Sequence, residues 1–213
     1  MLLSANHITK KIRGKTILQD ISLQLEGGNV YGFVGRNGSG KTMLFRALSG
    51  LMAVSSGSVS IDGQVLRKDV SVLPSLGIVL ENVGLYPDQT GMENLQYLAR
   101  LRGLIGPDDI RTALVRVGLE PEDKRTYRKY SLGMKQRLAI AQAIMEKPDV
   151  IMLDEPTNGL DEDGVQLIRQ LILEEKQRGA LILLASHNKE DIRLLADHLF
   201  RIESGVISQE EVS

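Results

Sequence analysis

The densest chemistry in the chain lies in GRNGSGKT, residues 35–42, which fits the pattern G-x-x-x-x-G-K-[ST]. Gly35, Gly38 and Gly40 let backbone N–H groups turn inward around an anion, with Arg36, Asn37 and Ser39 completing the loop. The helix start behind such a loop adds partial positive charge. Lys41 can reach the outer phosphates of a nucleotide, and the Thr42 hydroxyl is suited to Mg²⁺. An apolar strand, VYGFV, stands directly before the loop and a helical pattern, 41–48, directly after it. That context separates a phosphate cradle from a glycine-rich surface turn.

Such a loop serves kinases, switch GTPases and ATP-driven motors alike. The second half of the chain narrows the choice. VIMLDEP, residues 150–156, is an apolar strand ending in two acids. Side chains alternate along a strand, so Asp154 and Glu155 face opposite ways and cannot share one task. Asp154 suits the coordination shell of Mg²⁺, leaving Glu155 to orient a water for in-line attack on phosphate. A third apolar strand, LILLAS, is followed by His187, whose neutral imidazole could hydrogen-bond the terminal phosphate and the attacking water. His7 and His198 have no comparable company and read as structural.

The elements that must carry these groups follow from periodicity. Three apolar runs, each followed by a helical pattern (41–48, 164–176, 189–196), imply crossover units and a parallel sheet covered on both faces. The second of these helices places Val165, Ile168, Leu171 and Ile172 on one face. Near the start, residues 2–12, the Arg13-Gly14 turn and the alternating LQDISLQL of 18–25 predict an antiparallel hairpin. From about residue 86 to 129 the pattern is helical and polar, as in GMENLQYLARLRG and PDDIRTALVRVGL, which predicts a helical insertion between core strands. The polar end, SQEEVS, is expected to be frayed.

Composition sets the remaining bounds. A length of 213 residues suits one sizeable core. With 26 basic against 27 acidic residues there is no charge asymmetry pointing to nucleic acid. There is no cysteine, so disulfides and cysteine-based metal sites are excluded, and a reducing compartment fits. The longest apolar runs fall well short of the roughly 20 residues of a membrane span. Work at a membrane would therefore need another chain to cross it.

GRNGSGKT, then SLGMKQR at 131–137, then VIMLDEPTNGLD, then Ser186-His187, taken in this order, resemble the ATP-binding cassette family over essentially the whole chain. YSLGMKQRL is similar to the ATPase subunits of bacitracin- and lantibiotic-type drug exporters. The resemblance implies an α/β fold of the P-loop NTPase type: a mostly parallel sheet with helices on both faces and an N-terminal antiparallel β subdomain. An α-helical subdomain at about 86–134 would be inserted in one domain spanning 1–213. It implies ATP and Mg²⁺ as ligands, and a second nucleotide-binding domain, of the same or another chain, packed head to tail. Ser131 would then offer its hydroxyl, and Gly133 its unobstructed N–H, to ATP held by the opposite P-loop. Asn158, Gly159, Leu160 and Asp161 match the family's loop that crosses between the two domains. Separate permease chains are the implied membrane partners, which would place this subunit in the cytoplasm, on the inner face of the cell membrane. The family receives them at the position of Val83, Leu85, Tyr86 and Pro87, although packing under the helical insert would explain these residues as well.

Four positions, in three motifs, depart from the family pattern. Leu132 and Met134 replace glycine and glutamine in the signature. Ile12 stands where an aromatic often stacks on adenine, and an aliphatic side chain can only pack against the base. Glu81 occupies the position of a metal-ligating glutamine; its carboxylate ligates Mg²⁺ more strongly but repels phosphate, so nucleotide binding should weaken when Mg²⁺ is withheld. The leading expectation is the ATPase subunit of an exporter. The alternative is a cassette ATPase of a soluble assembly, against which stand the single cassette and the lack of a long coiled-coil insertion. A nucleotide-gated module that barely hydrolyses is opposed by the presence of both Glu155 and His187.

Overall fold

The computed structural model describes residues 1–80 and 84–212. The expected hairpin is formed by β1 (Leu2–Ile12) and β2 (Lys15–Glu26), antiparallel from Leu2↔Glu26 to Ile12↔Lys15. Leu18, Ile21, Leu23 and Leu25 are the buried residues of β2, so the alternation slips by one place near Asp20. Asp20 and His7 both adopt positive φ there, and His7 Nδ1 lies 2.8 Å from Asp20 Oδ1 across the bulge. β4 (Ser56–Ile61) and β5 (Gln64–Val65) complete this sheet in the order β2-β1-β4-β5.

β3 (Val30–Val34), β6 (Leu76–Val79), β7 (Val150–Asp154), β8 (Leu181–Ala185), β9 (His198–Glu203) and β10 (Val206–Glu210) form the second sheet, ordered β10-β9-β3-β8-β7-β6. All its pairings are parallel except β9 with β10. In β8 every residue is buried, as a strand covered on both faces requires. Its alternate side chains feed two separate cores. Leu181, Leu183 and Ala185 join the core beneath α1 (Lys41–Leu48) and the hairpin; Ile182 and Leu184 join the one beneath α2 (Gly91–Arg102), α3 (Pro107–Arg116), α4 (Leu132–Ile144) and α5 (Glu162–Gln177). The expected stripe on α5 packs there through Ile168, Leu171 and Ile172.

Between β6 and β7 the described residues form α2, α3, a 3₁₀ turn (Tyr127–Lys129) and α4, with no strand. α2 starts with a reciprocal capping box between Thr90 and Glu93. The last helix, α6 (Lys189–Leu195), follows β8. The expected loose end is corrected over residues 208–210. These pair with β9 as the outer part of β10, and Arg201 grips Glu210 with both its Nε and Nη2. A polar edge strand can be well anchored when its charges pair across the ladder.

Candidate functional site

Three strand ends converge. β3 and β7 flank β8 in the sheet, so the loops leaving their C-terminal ends meet on one edge, where open α/β sheets hold ligands. The phosphate loop leaves β3 at Gly35. A Cβ there would stand 2.3 Å from the Ile202 carbonyl, so only glycine permits the turn. α1 begins at Gly40, which has φ 117° and supplies no side-chain cap, leaving the first N–H groups of the helix available to an external acceptor. Lys41 is only 7% exposed and donates to the Gly35 carbonyl at 2.7 Å, curled back over its own loop. Ser39 is buried beneath the loop, and its Oγ has no hydrogen-bond partner among the described residues.

From β7 come the two acids. Thr42 Oγ1 donates to Asp154 Oδ2 at 2.5 Å, joining the helix start to the strand end. Glu155 follows the strand end with φ 51°, a left-handed conformation that is costly for a residue with a Cβ, and lines the same cleft as Asp154. Its N–H donates to the Ala185 carbonyl at 2.8 Å. Its side chain meets His187 at the end of β8: His187 Nδ1 lies 2.7 Å from Glu155 Oε2, and the His187 N–H donates to the same oxygen at 3.2 Å. The imidazole is otherwise exposed, so its other nitrogen faces outward. Together Asn37, Gly38, Gly40, Lys41, Thr42, Asp154, Glu155 and His187 line an open cleft of about 500 Å³, a volume ordinary for a small-molecule site.

Several sequence-expected residues lie elsewhere. Arg36 is exposed beside the loop and does not line the cleft. Ile12 sits at the hairpin end, 39% exposed, while Ile17 of β2 lines the cleft wall. Strand alternation held the signal for this: Leu18 is core, so its neighbour Ile17 must face the other way. Ser131 caps α4, accepting the Met134 N–H at 3.1 Å, and is exposed. Gly133 has a reason within its own chain, because a Cβ would come 3.2 Å from the Gly159 carbonyl. Neither Ser131 nor Gly133 lines the cleft. Glu81 and Val83 fall outside the described residues. Leu85 packs against the helical core, whereas Tyr86 is exposed and makes an edge contact with Tyr97 at 5.0 Å. Sequence reasoning overlooked Gln136 of α4, which donates to the carbonyls of both Glu155 and Pro156 at 3.2 Å. Asn158, expected in the loop that crosses between two domains, lines the cleft of its own chain.

A phosphate loop, two acids and a histidine lining one cleft at one sheet edge define a nucleotide-hydrolysing cassette. Residues 18–158 match the family described as ABC transporter, and the chain belongs to that family as an ATP-binding, ATP-hydrolysing subunit. It is 47% identical over 205 residues to an uncharacterized ABC transporter ATP-binding protein, YybJ, of Bacillus subtilis, covering 96% of this chain and 94% of that one. It is 36% identical to the bacitracin transport ATP-binding protein BcrA of Enterococcus faecalis, covering 98% of this chain and 68% of the relative. Its fold superposes with a TM-score of 0.89, at 22% identity and 99% coverage of both chains, on a dimeric ATP-binding cassette in a post-hydrolysis state bound to ADP and Pi.

Proposed function

We propose that this chain powers an exporter by pairing with a second cassette around ATP and parting after hydrolysis. The reading rests above all on the start of α4. Ser131 and Gly133 stand clear of their own cleft, with Leu132 beside them 69% exposed, at a capped helix N-terminus whose partial positive charge favours phosphate. The solved cassette that shares this fold is a dimer, and BcrA is named for bacitracin transport; both lend support.

In this reading residues 1–213 form one cassette, with the helical part near 86–134 as an insert. Residues 35–42 cradle the phosphates of ATP, and Lys41 exchanges its bond to the Gly35 carbonyl for phosphate oxygens. Thr42 Oγ1 and Asp154 Oδ2 are paired hard oxygens, the donor class Mg²⁺ takes, so these two residues would hold it. When bound, Mg²⁺ would offset the negative charge of the phosphates. Glu155 orients the attacking water, and His187, fixed by Glu155, presents its outer nitrogen to the terminal phosphate. Partner permease chains dock near Leu85, Tyr86 and Pro87 and hold the subunit at the inner face of the membrane. Among the described residues no helix is long and apolar enough to cross a membrane itself.

The test is sedimentation velocity on the Glu155→Gln variant with saturating ATP and Mg²⁺. Pairing is expected with ATP and not with ADP, and a bulky Ser131→Arg change should abolish it. A sample that stays monomeric at high protein concentration overturns the reading.

A further inference from the structure

Asp191, in the first turn of α6, is a charged side chain with no solvent exposure, and the chemistry above does not use it. Its Oδ1 accepts from Arg169 Nε at 2.8 Å and Nη2 at 2.7 Å, and Arg169 is itself buried. Its Oδ2 accepts from Thr157 Oγ1 at 2.5 Å and, at 3.4 Å, from Ser186 Oγ. Charge compensation accounts for the arginine, since a buried carboxylate without a cation is strongly destabilising. It does not account for the hydroxyls. Thr157 lies two residues beyond Glu155, and Ser186 immediately precedes His187. One buried carboxylate therefore ties together the two loops that carry the cleft's acid and its histidine.

Glu155 needs such support. Its left-handed backbone is a conformation that persists only where the surroundings over-determine it. The segment around it is held on one side by Gln136, through the carbonyls of Glu155 and Pro156. On the other side it is held by Thr157 on Asp191. We infer that Asp191 is a positioning residue: with Arg169 orienting it, its carboxylate clamps the loop after β7 to the loop after β8 and so keeps Glu155 and His187 in register. The inference rests on the roles given above to Glu155 and His187. The phosphate loop is built from β3 and α1 and takes no part in the clamp, so ATP binding and turnover should separate.

Thr157→Val removes the hydroxyl while keeping the shape. The expected result is a fall in kcat for ATP hydrolysis of about tenfold or more, as a small displacement of reacting groups produces. The Kd and KM for ATP should stay within about twofold, and Thr157→Ser should restore the rate, because only the hydroxyl is required. A Thr157→Val enzyme with full kcat, one whose loss lies in KM, or a Thr157→Ser enzyme as slow as Thr157→Val would each overturn the clamp. If Thr157→Val does not fold, Ser186→Ala, which removes the other hydroxyl on Oδ2, is judged by the same split of kcat from KM. Glu155→Gln measured in parallel separates the two ideas. Full turnover there sinks the role of Glu155 and the clamp with it; a dead Glu155→Gln beside a fully active Thr157→Val sinks the clamp alone.

Discussion

Two helices in this molecule begin with a face suited to phosphate, and they are finished in opposite ways. α1 enters from Gly40, has no side-chain cap, and follows a loop whose lysine is nearly buried. α4 enters from Ser131, whose hydroxyl already accepts the Met134 N–H, and it opens at the surface. Both carry the same partial charge from aligned peptide dipoles. What differs is who satisfies the first turn. The α1 start is left for an acceptor inside its own cleft, whereas the α4 start already has one of its N–H groups, that of Met134, satisfied by its own cap. A serine hydroxyl that accepts one bond can still donate another. The second helix start is thus stable while exposed and still able to engage an anion brought to it.

The sharpest break of this comparison is Lys41→Ala. Removing the cation within the phosphate loop should lower ATP hydrolysis by at least about 100-fold, the scale of losing a preorganised electrostatic contact. Phosphate release assays decide it, and a variant near full rate would mean that α1 is not the primary phosphate site. Ser131→Ala probes the other helix. Loss of the cap should cost about 1 kcal/mol of stability in chemical denaturation. Hydrolysis should fall about tenfold while the affinity of a single chain for ATP is unchanged, because the lost group belongs to the partner's site. A drop in single-chain affinity would place Ser131 in its own cleft instead. The smallest effect is expected at Gly159→Ala. Gly159 has φ 76°, and a Cβ there would stand 2.7 Å from Leu132 Cδ2, so thermal unfolding should reveal a loss of about 1 kcal/mol. Adding Leu132→Ala should recover only part of it, since the backbone strain remains.

The elements legible in the sequence were those whose signals are local. The β3–loop–α1 unit is written in consecutive residues, and β7 and β8 declare themselves because each is buried on both faces and therefore apolar throughout. The Asp154, Glu155 and His187 constellation followed from strand ends alone. β4, by contrast, reads SGSVSI with few apolar residues, and its place is set by pairing with β1, more than 40 residues away. The outer part of β10, residues 208–210, reads as part of a loose polar end because its anchoring comes from Arg201 across the ladder. Ile12 and Ile17 show a subtler limit. Family likeness gives a position along the chain, but which side chain enters the cleft depends on strand phase and on the bulge at Asp20. The Asp191–Arg169 cluster was invisible for the same reason: each partner lies on a different element, and no local spacing marks it.

β8 stands between two cores and gives alternate side chains to each. A library of large-to-small changes should therefore sort by parity along that strand. Odd-numbered positions should loosen the layer bearing α1, and even-numbered ones the helical layer. β7 alternates in the same way, with Val150 and Met152 in the α1 layer and Ile151 and Leu153 in the helical one, so along these two neighbouring strands a single lineage of substitutions can drift from one hydrophobic compartment to the other, and homologues should vary little there.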